Sequence, residues 1–287
     1  MPEKVKIIEC PRDAMQGIKS FIPTEKKIAY IQSLLGCGFD TIDFGSFVSP
    51  RAIPQMADTA EVLSRLDLSK SKSKLLAIVA NVRGANEASL HQDIDYLGYP
   101  FSISENFQMR NTHKTIAQSI DILDEILEIA RASNKEVVTY ISMGFGNPYG
   151  DPWSVEVVGE WTEKLANMGA RILSLSDTVG SSTPEDISYL FKHLIPKYPK
   201  IEFGAHLHTT PSKWYEKVDA AYKAGCRRFD GAIRGFGGCP MAKDELTGNM
   251  PTEKMLSYFT ENKVDSGVQW MVFEASYNKA TELFSNY

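Results

Sequence analysis

Short apolar, β-branched runs alternate along this chain with longer stretches whose apolar residues recur at helical spacing. The strand candidates are residues 4–10, 41–45, 74–79, 96–101, 136–143, 171–176, 201–208 and 227–233. Helical candidates lie between and after them at 24–35, 53–66, 84–91, 114–132, 153–168, 184–195, 212–223 and 252–261. Within 114–132, Ile116, Ile120, Leu123, Leu127 and Ala130 fall on one face of a 3.6-residue period. Thr183-Pro184 reads as a side-chain cap followed by proline at the first helical position, where its missing N–H goes unneeded. Met168-Gly169 and Ala224-Gly225 read as helix stops, because glycine enters the left-handed conformation without a Cβ clash.

Strand and helix in regular alternation predict α/β architecture, a (β/α)8 barrel with its helices outside. An open doubly wound sheet would carry a glycine-rich phosphate turn after the first strand, and Cys10-Pro11-Arg12-Asp13 is not one. The 287 residues suit a single barrel domain with a core over about 4–262 and a helical C-terminal tail, 263–287, on its flank.

Composition narrows the function classes. Hydrophobic content of 43% and charged content of 23% are ordinary for a globular protein with a large core. A net charge of −5 gives no basic footprint, so no nucleic-acid partner is expected. No apolar run approaches the roughly 20 residues that span a bilayer, so no membrane partner is expected either. The N-terminus enters a strand at once, with neither a secretory nor a transit pattern. The four cysteines stand far apart with no Cys-x-x-Cys pair, which argues against a disulfide framework and for a reducing, cytoplasmic setting.

The polar residues that could carry chemistry collect at the C-terminal ends of the predicted strands, where such barrels place their active sites. Arg12 and Asp13 follow the first strand, Asp43 ends the second, Asp177 closes the sixth, and His206 and His208 close the seventh. The loop 235–249, with Cys239 and Asn249, follows the eighth. His206 and His208, two apart on a strand, project to one face with Cα atoms about 6.5 Å apart, close enough for two imidazoles to share a cation. Asp13 offers a third ligand and Asn249 a fourth; singly, they would read as a turn residue and a helix cap. One carboxylate, two imidazoles and an amide oxygen suit octahedral Mg2+ or Mn2+, and Cys239 keeps Zn2+ in play as the lesser candidate. Arg12 is a fixed positive charge for an enolate or carboxylate oxygen. Cys239 sits in a glycine-rich loop where the backbone can approach a ligand, and its thiol could deliver a proton to carbon. Cys10, Cys37 and Cys226 read as small buried hydrophobes.

Several motifs together resemble the 3-hydroxy-3-methylglutaryl-CoA lyase family, within the metal-dependent lyases and Claisen-type synthases. They are Pro11-Arg12-Asp13-Ala14-Met15-Gln16, Ser46-Phe47-Val48-Ser49-Pro50, Pro54-Gln55-Met56, Ser176-Asp177-Thr178-Val179-Gly180, His206-Leu207-His208 and Gly235-Phe236-Gly237-Gly238-Cys239-Pro240. The resemblance implies cleavage of 3-hydroxy-3-methylglutaryl-CoA, an acyl-CoA substrate, to acetyl-CoA and acetoacetate, as in leucine degradation and ketone-body formation. It implies a divalent metal on Asp13, His206, His208 and Asn249, an enolate held by Arg12, and protonation of the acetyl-CoA carbanion aided by Cys239 on a mobile loop. Asp177 matches the family's acidic residue at the end of the sixth strand, and family habit implies a homodimer. For the proton on the substrate hydroxyl, Asp13 is the first candidate base, and Asp43 and Asp177 are the next.

The chain departs from the family pattern at several positions. Ala14-Met15 replaces Gly-Leu, Asp43 replaces a glutamate, Thr209 replaces an aspartate, and Asn147-Pro148-Tyr149 replaces Cys-Pro-Tyr. A related lyase for another 3-hydroxyacyl-CoA is the neighbouring reading. A synthase condensing acetyl-CoA with a 2-oxo acid, and a non-catalytic barrel, are the rivals.

Overall fold

The computed structural model describes residues 3–238 and 247–285. Eight parallel strands close on themselves: β1 (Lys6–Glu9), β2 (Thr41–Ser46), β3 (Lys74–Ile78), β4 (Tyr96–Ser102), β5 (Glu136–Ser142), β6 (Ile172–Asp177), β7 (Glu202–Thr209) and β8 (Arg228–Gly231). Each pairs with the next, and β8 returns to β1 with Lys6 opposite Arg228 and Glu9 opposite Gly231. The helices between them are α1 (Pro11–Gln16), α2 (Thr24–Leu35), α3 (Thr59–Ser64), α4 (Val82–Ser89), α5 (Glu105–Thr112), α6 (Ile116–Ala132), α7 (Val155–Met168), α8 (Pro184–Lys197) and α9 (Trp214–Lys223). After β8 come a short β9 (Gly248–Asn249), α10 (Thr252–Glu261) and α11 (Trp270–Phe284). This is the (β/α)8 barrel that the alternation predicts, with the tail forming one helix.

The period of two in each strand sorts its residues between two environments. Leu75, Ala77, Leu97, Val137, Leu173 and Leu175 face outward into the main core beneath the helices. Their alternates Leu76, Ile78, Tyr96, Val138, Tyr140 and Ile172 form a separate apolar cluster. The alternates on β7 and β8 are polar: His206, His208, Arg228 and Asp230. One side of the barrel interior is therefore packed with apolar groups and the other carries charge. Interior charge is costly unless paired: His206, His208 and Asp230 lie toward the C-terminal mouth, while Arg228, at the start of β8, lies 3.9 Å from Asp40 and 3.7 Å from Glu202.

Four local details differ from the sequence reading. Residues 11–16 are a helical turn instead of a loop, because Pro11 at its first position pre-sets the backbone. The predicted helix over 53–66 is two pieces, a 3₁₀ turn at Pro54–Met56 and α3, separated where Asp58 leaves helical geometry (φ −100°, ψ 13°). The α5 helix was not anticipated; its sequence is mostly polar, and its start is fixed by the Ser104 hydroxyl, which accepts from Phe107 N–H. The eighth strand stops at Gly231, and Arg234 then turns the chain with φ 61°.

Candidate active site

The α1 turn carries Arg12 and Asp13 to the C-terminal mouth of the barrel, where both are buried. Arg12 donates from Nε (3.1 Å) and Nη2 (2.5 Å) to Asp43 Oδ2 on β2. Its Nη1 donates to Asp13 Oδ1 at 3.0 Å. The guanidinium thus spans two carboxylates. Burial alone would lower its pKa, but Asp43 and Asp13 outweigh it, so the positive charge is permanent. The β2–β3 register slips between Asp43 and Gly45, a bulge of the kind that re-aims side chains beside active sites.

Asp13 has three further neighbours. Gln16, one turn along α1, donates to Oδ1 at 2.6 Å, and Asn249 Nδ2 donates to Oδ2 at 2.7 Å. Asn249 arrives from β9, which pairs antiparallel with β7 so that Asn249 stands opposite His208. Its Nδ2 also donates to the Phe236 carbonyl at 2.8 Å, so two acceptors fix the amide. Gly237 (φ 84°) passes over Asp13; a Cβ there would lie 2.6 Å from the Asp13 carbonyl oxygen. Burial would raise the Asp13 pKa, but Arg12, His206, His208 and the Asn249 bond hold it below the usual carboxylate range. Asp43 goes the other way: burial pushes it up to about 6, against the pull of Arg12.

His206 and His208 share one face of β7 with ring centroids 5.3 Å apart. Each has its Nδ1 engaged: His206 with Asp230 Oδ2 at 3.1 Å, and His208 with the Thr178 carbonyl at 2.9 Å. A carbonyl can only accept, so His208 is the Nδ1–H tautomer with a lone pair on Nε2. That buried Nε2 has no hydrogen-bond partner among the described residues. Burial, with His206 adding to it, pushes the His208 pKa down to about 4, so the ring is neutral near pH 7. Burial would also lower His206, but the Asp230 bond and charge outweigh it and raise its pKa. One ligand atom each from Asp13, His206 and His208 lie within 4.8 Å of one another.

A neutral imidazole lone pair without a partner among the described residues, beside a carboxylate and a second imidazole, fits a divalent cation. Both imidazoles also carry the outer hydrogen bond that orients a metal ligand. Arg12, Asp13, Asp43, His206, His208 and Asn249 are therefore brought together. Asp177 is not part of this contact set. Its carboxylate accepts from Lys217 Nζ at 2.7 Å and from Ser182 N–H at 3.1 Å. Cys239 lies outside the described residues. Sequence reasoning missed Gln16, Asp230 and the Thr178 carbonyl. Asp230 had a signal, a carboxylate two residues beyond Arg228 on the same inward face of a barrel strand. A main-chain carbonyl leaves no trace in a sequence.

The HMGL-like family model matches residues 4–276. The mitochondrial hydroxymethylglutaryl-CoA lyase of Rattus norvegicus is 32% identical over 271 residues, 93% of this chain and 82% of that protein. The 3-hydroxy-3-isohexenylglutaryl-CoA/hydroxy-methylglutaryl-CoA lyase of Pseudomonas aeruginosa is 32% identical over 269 residues, 93% of this chain and 89% of that one. A solved structure of an HMG-CoA lyase from Acinetobacter baumannii, in complex with coenzyme A and 3-methylmalate, superposes with a TM-score of 0.89 at 28% identity. It spans 98% of this chain and 92% of that chain.

Proposed function

Because the chain belongs to the HMGL-like family, we propose that it is a carbon–carbon lyase cleaving 3-hydroxy-3-methylglutaryl-CoA to acetyl-CoA and acetoacetate. The observation that carries the assignment to this site is the unpartnered His208 Nε2 beside Asp13 and His206. Asp13, His206 and His208 would hold the cation. Asn249 is the fourth candidate, and it would present its amide oxygen only by turning the amide away from its present bonds to Asp13 and Phe236. The mixed oxygen and imidazole set favours Mg2+ or Mn2+. Bound there, the cation would lower the pKa of the substrate's tertiary hydroxyl and orient it.

The residues of the chain divide the remaining work. A carboxylate takes the hydroxyl proton; Asp13 and Asp43 both lie at the mouth against Arg12. The C2–C3 bond then breaks, C3 becomes the ketone of acetoacetate, and the bonding pair forms the enolate of acetyl-CoA. Arg12 is the fixed cation for that enolate oxygen, held ready by its two carboxylates, so no reorganisation is needed as charge develops. A proton returned to C2 completes acetyl-CoA, and Cys239 is the sequence-based candidate to deliver it.

The test is turnover of 3-hydroxy-3-methylglutaryl-CoA by the purified protein with Mn2+ or Mg2+, following acetoacetate. Release that EDTA abolishes is the expected result. Arg12→Gln should lower turnover at least about 100-fold, the scale of losing one transition-state donor. Undiminished turnover in that variant would overturn the role of Arg12. Condensation of acetyl-CoA with a 2-oxo acid, and no cleavage, would favour a synthase instead.

A further inference from the structure

We propose that Lys217 is a positioning residue that fixes the His208 imidazole for metal binding, an inference that rests on the metal site proposed above. Lys217 lies on α9, outside the barrel mouth, and its side chain is only 1% exposed. Its ammonium donates to Asp177 Oδ2 at 2.7 Å, to the His208 carbonyl at 2.8 Å and to the Gly180 carbonyl at 3.1 Å. An ammonium has three donors, and all three are used. An apolar side chain could occupy this position without the desolvation cost of a buried charge. What the ammonium adds is geometry.

That geometry bears on one bond. The two imidazoles are oriented by different means. His206 is held by a side-chain carboxylate, Asp230. His208 is held by a backbone carbonyl, Thr178, in the turn after β6, and its other nitrogen has no partner among the described residues. A carbonyl in a turn orients a ring only as well as the turn itself is fixed. Lys217 grips that turn on both sides of Thr178, at Asp177 and at Gly180, and grips the main chain of His208 as well. Both partners of the His208–Thr178 bond are thus tied to one buried ammonium. The turn is completed by Gly180 N–H donating to the Asp177 carbonyl at 3.2 Å, and by Met143 N–H donating to Thr178 Oγ1 at 2.9 Å. Asp177, the acidic residue closing β6, then acts as the counter-charge that makes the buried ammonium tolerable.

The test uses the full chain, Lys217→Gln, and the charge-balanced pair Lys217→Met/Asp177→Asn, which removes the clamp without leaving an unpaired buried carboxylate. Mn2+ binding is read by electron paramagnetic resonance. The His208 tautomer is read by 15N NMR in the metal-free protein, with His206 as internal reference. Mn2+ affinity should fall about 10- to 100-fold, the usual scale for losing an outer-shell support. The His208 signal should move from the pure Nδ1–H form toward a tautomer mixture, while His206 stays unchanged. Folded variants with wild-type affinity and tautomer would overturn the proposal. Wild-type protein that takes up no Mn2+ would instead overturn the metal site itself, so the two failures are distinguishable.

Discussion

At the end of β1 the Glu9 carboxyl is fully enclosed, accepting from Ile233 N–H at 2.9 Å and from the Thr252 hydroxyl at 2.6 Å. It ties the turn after β8 to the start of α10. Burial pushes its pKa from 4.5 to about 8, although both hydrogen bonds pull it back. The folded protein therefore keeps a proton that the unfolded chain has lost. The resulting stabilisation is full below about pH 4.5, falls as pH rises, and is gone above about pH 8. Within that window the slope approaches about 1.4 kcal/mol per pH unit. In urea unfolding between pH 5 and pH 8, wild-type stability should decline relative to Glu9→Gln; parallel curves would refute the buried proton. The residues around Arg12 and Asp13 show how far single residues were legible. Types and spacing pointed to the candidate ligands, but the direction in which each carboxylate is shifted depends on burial, which no residue type reveals. Asp13 is held low and Asp43 is pushed up to about 6 only because Arg12, the two imidazoles and the barrel wall surround them unequally.

At the scale of elements, local chemistry set most of the boundaries. The α6 helix begins with a complete capping box: the Thr115 hydroxyl accepts from Gln118 N–H at 3.1 Å, and the Gln118 side chain accepts from Thr115 N–H at 3.0 Å. Thr115→Ala should cost about 1 kcal/mol of stability without changing turnover, because the hydrogen bonds of Thr115 stay within the start of α6 and reach none of the candidate site residues. Chemical denaturation of the variant checks the first part and kinetics the second. The glycine stops appear as expected, with Gly169 and Gly225 both at positive φ. The bulge in β2 did not show as a break in period, since every residue of Thr41–Ser46 is buried and no in–out alternation marks the slip; Gly45, a glycine inside the strand, is its trace in the sequence. The short β9 was equally hidden. Two residues have no period, and Gly248–Asn249 is a strand only because the finished edge of β7 is there to pair with it.

For the whole molecule, the unequal interior is the feature with the widest consequence. Apolar side chains pack between β3 and β6, while β7, β8 and the chain after β1 bring Asp13, His206, His208 and Asp230 together. A cation that binds this folded cluster, and not the unfolded chain, must stabilise the fold by mass action. At 100 times its dissociation constant the gain is about 2.7 kcal/mol, which raises the melting temperature by several degrees. Mn2+ should produce that rise, EDTA should reverse it, and His208→Ala should abolish it; an unmoved melting temperature would count against the site. The tail is part of the same body. Phe273 on α11 stacks edge-on against Phe39, and Phe284 packs against both Tyr30 on α2 and Phe236 in the loop after β8.

Hydrophobic period, caps and glycine stops determined the alternation of strand and helix, and with it the barrel, because these signals act over a few neighbouring residues and survive without knowledge of the rest of the chain. The same order placed Arg12, Asp13, His206 and His208 at strand ends, and so at one mouth. Only the tertiary structure decided which groups meet there. The Arg12–Asp43 clamp joins residues 31 apart, and the Asn249–Asp13 contact joins residues 236 apart. Contacts across such separations, and the pKa shifts that follow from them, depend on barrel closure and on the exclusion of water, and neither is a property of any local stretch of sequence.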